Sequence, residues 1–318
     1  MSGIFTVSIF ASALELGFIY ALVALALFIS FTILNIADLT TDGCFTLGCA
    51  VGAMVTLAGH PFLALIAAMI SGAAAGFVTA FLQTKLGVES ILAGIIVNTG
   101  LYTINIAVMG FSSLTNLFGC DTIFSLGKDS LGSIVGDWYK LIIIVAIVLL
   151  IAVVLWWFLG TRLGMSIRAT GDNAEMVKSS SINPSFMITV GLCLANSLTA
   201  LSGVLIAQYQ KSADINIGTG MVTIALASLI IGQSLIGNKG TTLRRIIGTI
   251  LGSVLYRIIV AIALRLNVPA EALKLVSAII VAVAIAAPYA KNKAKLKKRE
   301  LENIRSRRAK EVENAKAR

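Results

Sequence analysis

The sequence predicts an all-α, polytopic membrane protein of about nine spans, arranged as two inverted, partly broken-helix halves. The first sign is composition. The chain is 58% hydrophobic and only 13% charged, with a mean hydropathy of +0.94, whereas soluble domains carry roughly a quarter charged residues. A second sign is the length of its apolar runs, too long and too free of charge for a water-soluble core. Third, two of these runs are short, and each follows a bend rich in Asp and Gly. Together these exclude a soluble globular domain.

Apolar helices are expected near Phe5–Leu34, Cys44–Ala58, Phe62–Leu82, Ile91–Met109, Leu141–Phe158, Phe186–Ile206, Met221–Ile236, Ile246–Leu264 and Leu273–Ala287. Most approach the roughly 20 residues that cross about 30 Å of hydrocarbon. Cys44–Ala58 and Met221–Ile236 fall short of that. Trp138 and Tyr139 at one end of the fifth span, and Trp156 and Trp157 at the other, suit aromatic belts at the two interfaces. Met1 to Thr6 lacks the positive region of a cleavable signal peptide, and the first apolar run is too long for one.

Basic residues orient the spans. Lys85, the stretch Arg162–Lys178, Lys239, Arg244, Arg245 and the tail beyond Ala290 fall on one side; Lys128, Lys140, Lys211, Arg265 and Lys274 fall on the other. The positive-inside rule makes the first side cytoplasmic, with the N-terminus outside and the C-terminus inside. The chain therefore divides into a membrane domain, 1–290, and a basic tail, 291–318. The tail supplies most of the formal net charge of +10. Next to a span, that charge suits anionic membrane lipid at about 1 kcal/mol per basic residue, and nucleic acid is not expected as a partner.

The most polar stretch inside the membrane domain is Gly160–Ser185, which holds Arg162, Arg168, Asp172, Asn173, Glu175 and Lys178. Lipid cannot accept such a load, because each unpaired polar group costs several kcal/mol there. Asp172–Lys178 is expected to form a short helix with Asp172 as its N-cap, and Pro184 to stop it continuing into the next span. The stretch fits a docking surface for a separate motor, or equally a solvated connector. On the other side, Gly110–Asp137 reads as a long loop with turn signals at Gly119, Gly127, Gly132 and Gly136. It suits reception of a soluble delivery protein or a plain connector.

A weak repeat relates the halves. Asn35–Gly43 precedes one short span, and Asp214–Gly220 precedes the other. Interrupted segments at matching places in inverted halves point to a substrate route near the bilayer midplane. Asn98, Tyr102 and Asn105 recur at i, i+4 and i+7 on one helical face. With Asp38 and Asp42 they are the candidate pathway residues; interhelical hydrogen bonding is the plainer reading. Glu15 and Arg257 also lie within spans, and Arg257 is expected to pair with an acid or a helix C-terminus. Cys44, Cys49, Cys120 and Cys193 lack metal-site spacing and read as small buried residues. His60, beside Pro61, reads as a structural turn residue.

The chain carries no engine. It has no G-x-x-x-x-G-K-[ST] run to cradle ATP, no paired acid and base, and no nucleophile set, so no enzymatic activity and no cofactor are expected within it. ATP-driven transport would need a separate ATPase. An ion-coupled secondary transporter, using Glu15, is the alternative; an integral-membrane enzyme finds no catalytic cluster.

Several segments carry a resemblance. Leu163-Gly-Met-Ser-Ile-Arg-Ala-Thr-Gly-Asp-Asn-Ala-Glu-Met176 with Ser181-Ile-Asn-Pro184 is similar to the cytoplasmic loop of ATP-binding-cassette importer permeases of the branched-chain amino acid and ribose type. Ala207–Gly220 running into Leu226–Gly232, Asp38–Gly43, and Leu101–Asn105 resemble a subgroup whose binding proteins take tryptophan or tyrosine. Lys211 and Gln233 depart from that pattern, standing where a small residue and an acid are expected. The resemblance implies a multi-pass protein of the bacterial inner membrane, working as a permease homodimer with ATPases that hold ATP and with an external substrate-binding protein. It also implies that Arg168, Gly171, Asp172, Asn173 and Glu175 couple the permease to the ATPase.

Overall fold

The computed structural model describes residues 7–236 and 241–265, with isolated positions between 275 and 286. In chain order the helices are α1 (Val7–Leu27, continued by a π-helical stretch Phe28–Ile33), α2 (Thr41–Leu57), α3 (Pro61–Lys85), α4 (Ser90–Val108), α5 (Ile123–Val135), α6 (Tyr139–Gly160), α7 (Arg162–Asp172), α8 (Ala174–Ser179), α9 (Pro184–Gln210), α10 (Met221–Ile236) and α11 (Thr242–Arg265). Among the described residues, six helices are long and apolar enough to cross a membrane, while α2 and α10 are apolar but shorter. The first eight expected spans thus correspond to helices. The ninth, Leu273–Ala287, falls largely outside the described residues, and so does the tail 291–318.

Polarity decides which helices sit inside. α9 carries Asn196, Ser197, Thr199, Ser202, Gly203 and Gln208 and is 83% buried over its most apolar window, whereas α6, built from Ile, Val and Leu, is 22% buried. In hydrocarbon, polar and small side chains gain by facing other helices, and branched apolar ones lose nothing by facing lipid.

Small residues set how closely α9 is approached. Along α2, Cys44 Sγ donates to the Asn196 carbonyl (3.2 Å), Gly48 abuts Ala200, Gly52 abuts Val204, and Thr56 Oγ1 accepts from Gln208 Nε2 (3.1 Å). Four matched contacts, each four residues on, make α2 and α9 parallel neighbours. α3 runs the other way, with Gly72 against Asn196 and Gly76 against Leu192. A Cβ at Gly48 would meet the Ala200 backbone and one at Gly76 the Leu192 carbonyl, so neither position has room for a side chain. α1 is antiparallel to α9, pairing Ile19 with Ser202 (2.8 Å) and Leu34 with Gly191. α11 is antiparallel to α1 through Ser253 Oγ and the Gly17 carbonyl (2.8 Å), and α10 is antiparallel to α11 through Gly232 and Gly248. It follows that α2 and α10 point in opposite directions.

Several expectations need correction. The fold is not purely α: β1 (Leu114–Asn116) and β2 (Ser212–Asp214) form an antiparallel ribbon, Thr115 opposite Ala213. The stretch Gly110–Asp137 is no plain loop, since it contains β1 and α5. Gly127 does not break α5, because its bare Cα lets Ile143 of α6 pack closely. Asp172 ends α7 rather than capping the next helix. Asn173, at φ −160° and ψ 100°, caps α8, its Oδ1 accepting from Met176 N (3.0 Å). The cap must be extended while Asp172 is still helical, so the next residue serves. Pro184 starts α9 at its first turn, where a missing N–H costs nothing. Arg257 lies 3.8 Å from the Tyr20 ring centroid, and among the described residues it forms no ion pair with an acid. A desolvated guanidinium on an aromatic face is a favourable substitute for an ion pair.

Candidate functional site

Two short helices begin inside the bundle rather than at its surface. After α1, Asn35 takes a left-handed turn (φ 56°) and the chain reverses through residues 35–40. α2 then starts three residues before Cys44, which is level with Asn196, and so about 14 Å along α9 at 1.5 Å per residue. Thr40 and Thr41 are buried there. From the other end of α9, the chain returns along α2 as far as Gly218, which touches the Asp42 carbonyl and Thr46. α10 starts at that point. The Asp42 carboxylate crosses between the two helices, accepting from Gly220 N (3.0 Å) and Val222 N (2.9 Å). It thereby caps α10 with charge at the end where the helix dipole favours an anion.

Beside this junction lies a cavity of about 200 Å³ lined by Asp42, Gly43, Thr46, Asn98, Thr99, Tyr102, Asn105 and, from the second bend, Ile215, Asn216, Gly218 and Thr219. The structure therefore brings together four of the five candidate pathway residues. Asn105 is buried and donates through Nδ2 to the Gly43 carbonyl (3.1 Å), and its Oδ1 has no partner. Tyr102 is 52% exposed. Asp38 stands apart. Buried, it accepts from Asn196 Nδ2 (2.8 Å) and Thr40 N (2.9 Å), and Thr40 meets Thr79 at 2.9 Å, so it ties the reversal to α9 and α3. Thr46, Thr99, Asn216 and Thr219 escaped the sequence reading. Thr46 is one helical turn from Asp42, Thr99 adjoins Asn98, and the last two lie in the bend already singled out, so period and proximity were the available signals.

A larger cleft of about 610 Å³ lies between α2, α3 and α4, walled by Leu47, Val78, Ile96, Ile104 and other apolar groups. It offers almost nothing to orient a polar molecule. Glu15 is buried and accepts from the Tyr209 hydroxyl (2.7 Å), which satisfies it locally.

The polar stretch forms two helices against the bundle's end. Thr161 caps α7, accepting from Gly164 N (3.3 Å), and Ile167 is buried. Gly171 presses on the Ile33 carbonyl and Leu34, where any Cβ would collide with backbone. α7 thus rests directly on the end of α1, just ahead of the reversal that leads to Asp42. α8 projects outward: Met176 is 57% exposed, and the Lys178–Glu175 pair (2.7 Å) is solvated. Such a pair adds only about 0.3–0.5 kcal/mol. Arg168, Asp172, Asn173 and Glu175 lie along these two helices with Gly171 on the inner side. Gln233 donates to Thr32 Oγ1 (3.1 Å), joining α10 to the π-helical end of α1.

Comparison with known proteins matches residues 9–300 to the family described as branched-chain amino acid transport system / permease component. The chain is 33% identical over 282 residues to a tyrosine transport system permease protein of Clostridioides difficile, covering 88% of this chain and 90% of that one. It is 30% identical over 228 residues to the ribose import permease protein of Escherichia coli, covering 69% and 66%. A solved chain, PsaBC from Streptococcus pneumoniae in complex with Fab, shares the fold with a TM-score of 0.51 at 15% identity, covering 87% of this chain and 89% of that one.

Proposed function

The chain belongs to the branched-chain amino acid transport permease family, and on that footing we propose that it is the membrane permease subunit of an ATP-driven importer for an aromatic amino acid. The observation that carries this reading is the seating of α7 on the end of α1. A push on α7–α8 from an ATPase would reach Ile33, then the reversal tied to α9 by Asp38, then Asp42 and the cavity. Basic residues support the sidedness: Lys85, Arg162, Arg168, Lys178, Arg244 and Arg245 lie at the α7–α8 end, and Lys128, Lys140, Lys211 and Arg265 at the other. The α7–α8 end is then cytoplasmic.

The importer works as a homodimer. Thr99, Tyr102 and Thr103 form an exposed polar stripe midway along α4, and such a stripe is costly against lipid. A second permease copy facing it encloses a wet route along which Asn98, Tyr102 and Asn105 offer hydrogen bonds and a ring. Aromatic amino-acid specificity draws on the similarity to the tyrosine permease, and α2 and α10, short and opposed, suit inverted halves.

The test is reconstitution into vesicles with the cognate ATPase and binding protein. Uptake of L-tyrosine or L-tryptophan that requires ATP is expected. Uptake that survives without ATP but collapses with the ion gradient would replace this reading by ion-coupled transport.

A further inference from the structure

We propose that the cavity beside Asp42 selects for an ammonium group and so holds the amino end of a passing amino acid. This rests on the importer reading, in which the cavity lies on the substrate's route. The inference comes from an account of donors and acceptors around the walls.

Among the described residues, the side-chain donors of Thr46, Thr99 and Asn105 are already spent, while the Asn98, Tyr102, Asn216 and Thr219 side chains make no such bond. Thr46 Oγ1 donates to the Asp42 carbonyl (3.2 Å), Thr99 Oγ1 to the Ile95 carbonyl (2.8 Å), and Asn105 Nδ2 to the Gly43 carbonyl (3.1 Å). The N–H groups that open α10 go to Asp42 (3.0 and 2.9 Å). Among the described residues, no lysine or arginine lines the cavity. What remains fixed in place accepts: the lone pairs of Thr46 and Thr99, the Asp42 carboxylate and the Asn105 Oδ1. That last oxygen carries the second, independent sign. Asn105 is only 1% exposed and, among the described residues, its Oδ1 has no donor, although its amide is held in one orientation by Gly43. A buried acceptor left empty is uncommon and marks a place where a donor belongs.

A carboxylate entering this cavity would meet the negative charge of Asp42 with no cation among the described lining residues to offset it. An ammonium group, with three donors and one positive charge, meets the complementary set. The half-buried Asn98 amide and the exposed Tyr102, Asn216 and Thr219 side chains then remain for the rest of the molecule. An inorganic monovalent cation shares the ammonium's charge but not its directed donors, so the two sources are separable.

The test uses the purified permease in nanodiscs with Cys120 and Cys193 changed to serine, since Cys44 and Cys49 are fully buried. Thr99→Cys places a thiol in the wall. Its rates with 2-aminoethyl and 2-sulfonatoethyl methanethiosulfonate, cation and anion, are each normalised to a free thiol. The cation is expected to react faster by about tenfold, as a nearby unit charge gives at modest effective dielectric. D42N should bring the ratio close to unity. Ethylammonium chloride should protect the thiol, and sodium chloride at equal concentration should not.

Equal rates, a faster anion, or no reaction with either reagent would overturn the proposal, because a cavity that takes an ammonium group must admit one. Equal protection by sodium would overturn the assignment to an amino group. The labelling needs no ATPase. ATP-driven uptake with charge-blind labelling would therefore refute this inference alone, and cation-selective labelling without ATP-driven uptake would refute the importer reading instead.

Discussion

Asp42 is predicted to hold the two short helices together, and removing its carboxylate gives a graded loss of stability. In Asp42→Ala, Gly220 N and Val222 N both lose their acceptor. Each partly buried donor left unmet costs about 1 kcal/mol, and the lost charge at a helix N-terminus about 1 more, giving about 3 kcal/mol in all. Asp42→Asn keeps one acceptor and the shape of the side chain but loses the charge and the other acceptor, so its loss should be about two thirds as large, about 2 kcal/mol. The assay is the midpoint of helix loss by circular dichroism as SDS is titrated into mixed micelles. Hydrogen exchange adds the location, since Met221–Ile224 should exchange faster in both variants before the rest of the bundle changes. Equal losses in the two variants, or a wild-type midpoint in Asp42→Ala, would refute the cap.

Three further outcomes follow from the packing. Gly48→Leu puts a side chain into the Ala200 backbone; it should prevent accumulation of folded permease, checked by size-exclusion profile, because α2 and α9 cannot separate locally. Tyr102→Ala and Asn98→Leu should each lower uptake in vesicles while leaving capture by the binding protein unchanged, since both residues line the cavity and neither anchors the fold. Gly171→Leu should lift α7 off Ile33 at a cost of about 1–3 kcal/mol, so that the ATPase still co-purifies but uptake falls by about tenfold or more.

Much of this architecture was legible because hydrocarbon imposes simple rules. Apolar runs gave eight helices to within a few residues, and the spacing of Asn98, Tyr102 and Asn105 gave one helical face that does line a single cavity. Other parts depend on partners remote in sequence. Asp38 and Asn196 are 158 residues apart, and nothing local to Asp38 distinguishes an anchor from a pathway residue. Asp42 reads as an acid in a bend until Gly220 and Val222 arrive from 178 and 180 residues away. The ribbon's strands are three residues each, too short to show alternation, and exist because they pair. α5 was hidden by Gly127, which serves close packing on α6 instead of a turn. The choice of Asn173 over Asp172 as cap turns on one residue's backbone angles, which composition does not reveal.

The central claim is that α7–α8 is the surface on which the ATPase acts, and residue-specific cross-linking tests it most directly. Met176 on α8 is 57% exposed and Phe111, at the opposite end of the bundle, is 80% exposed. Met176→Cys and Phe111→Cys, each in a background with Cys120 and Cys193 replaced, would be fitted with a photoactivated cross-linker in the assembled complex. The account predicts an adduct with the ATPase from position 176 and none from position 111. An ATPase adduct from position 111, with none from position 176, would contradict it.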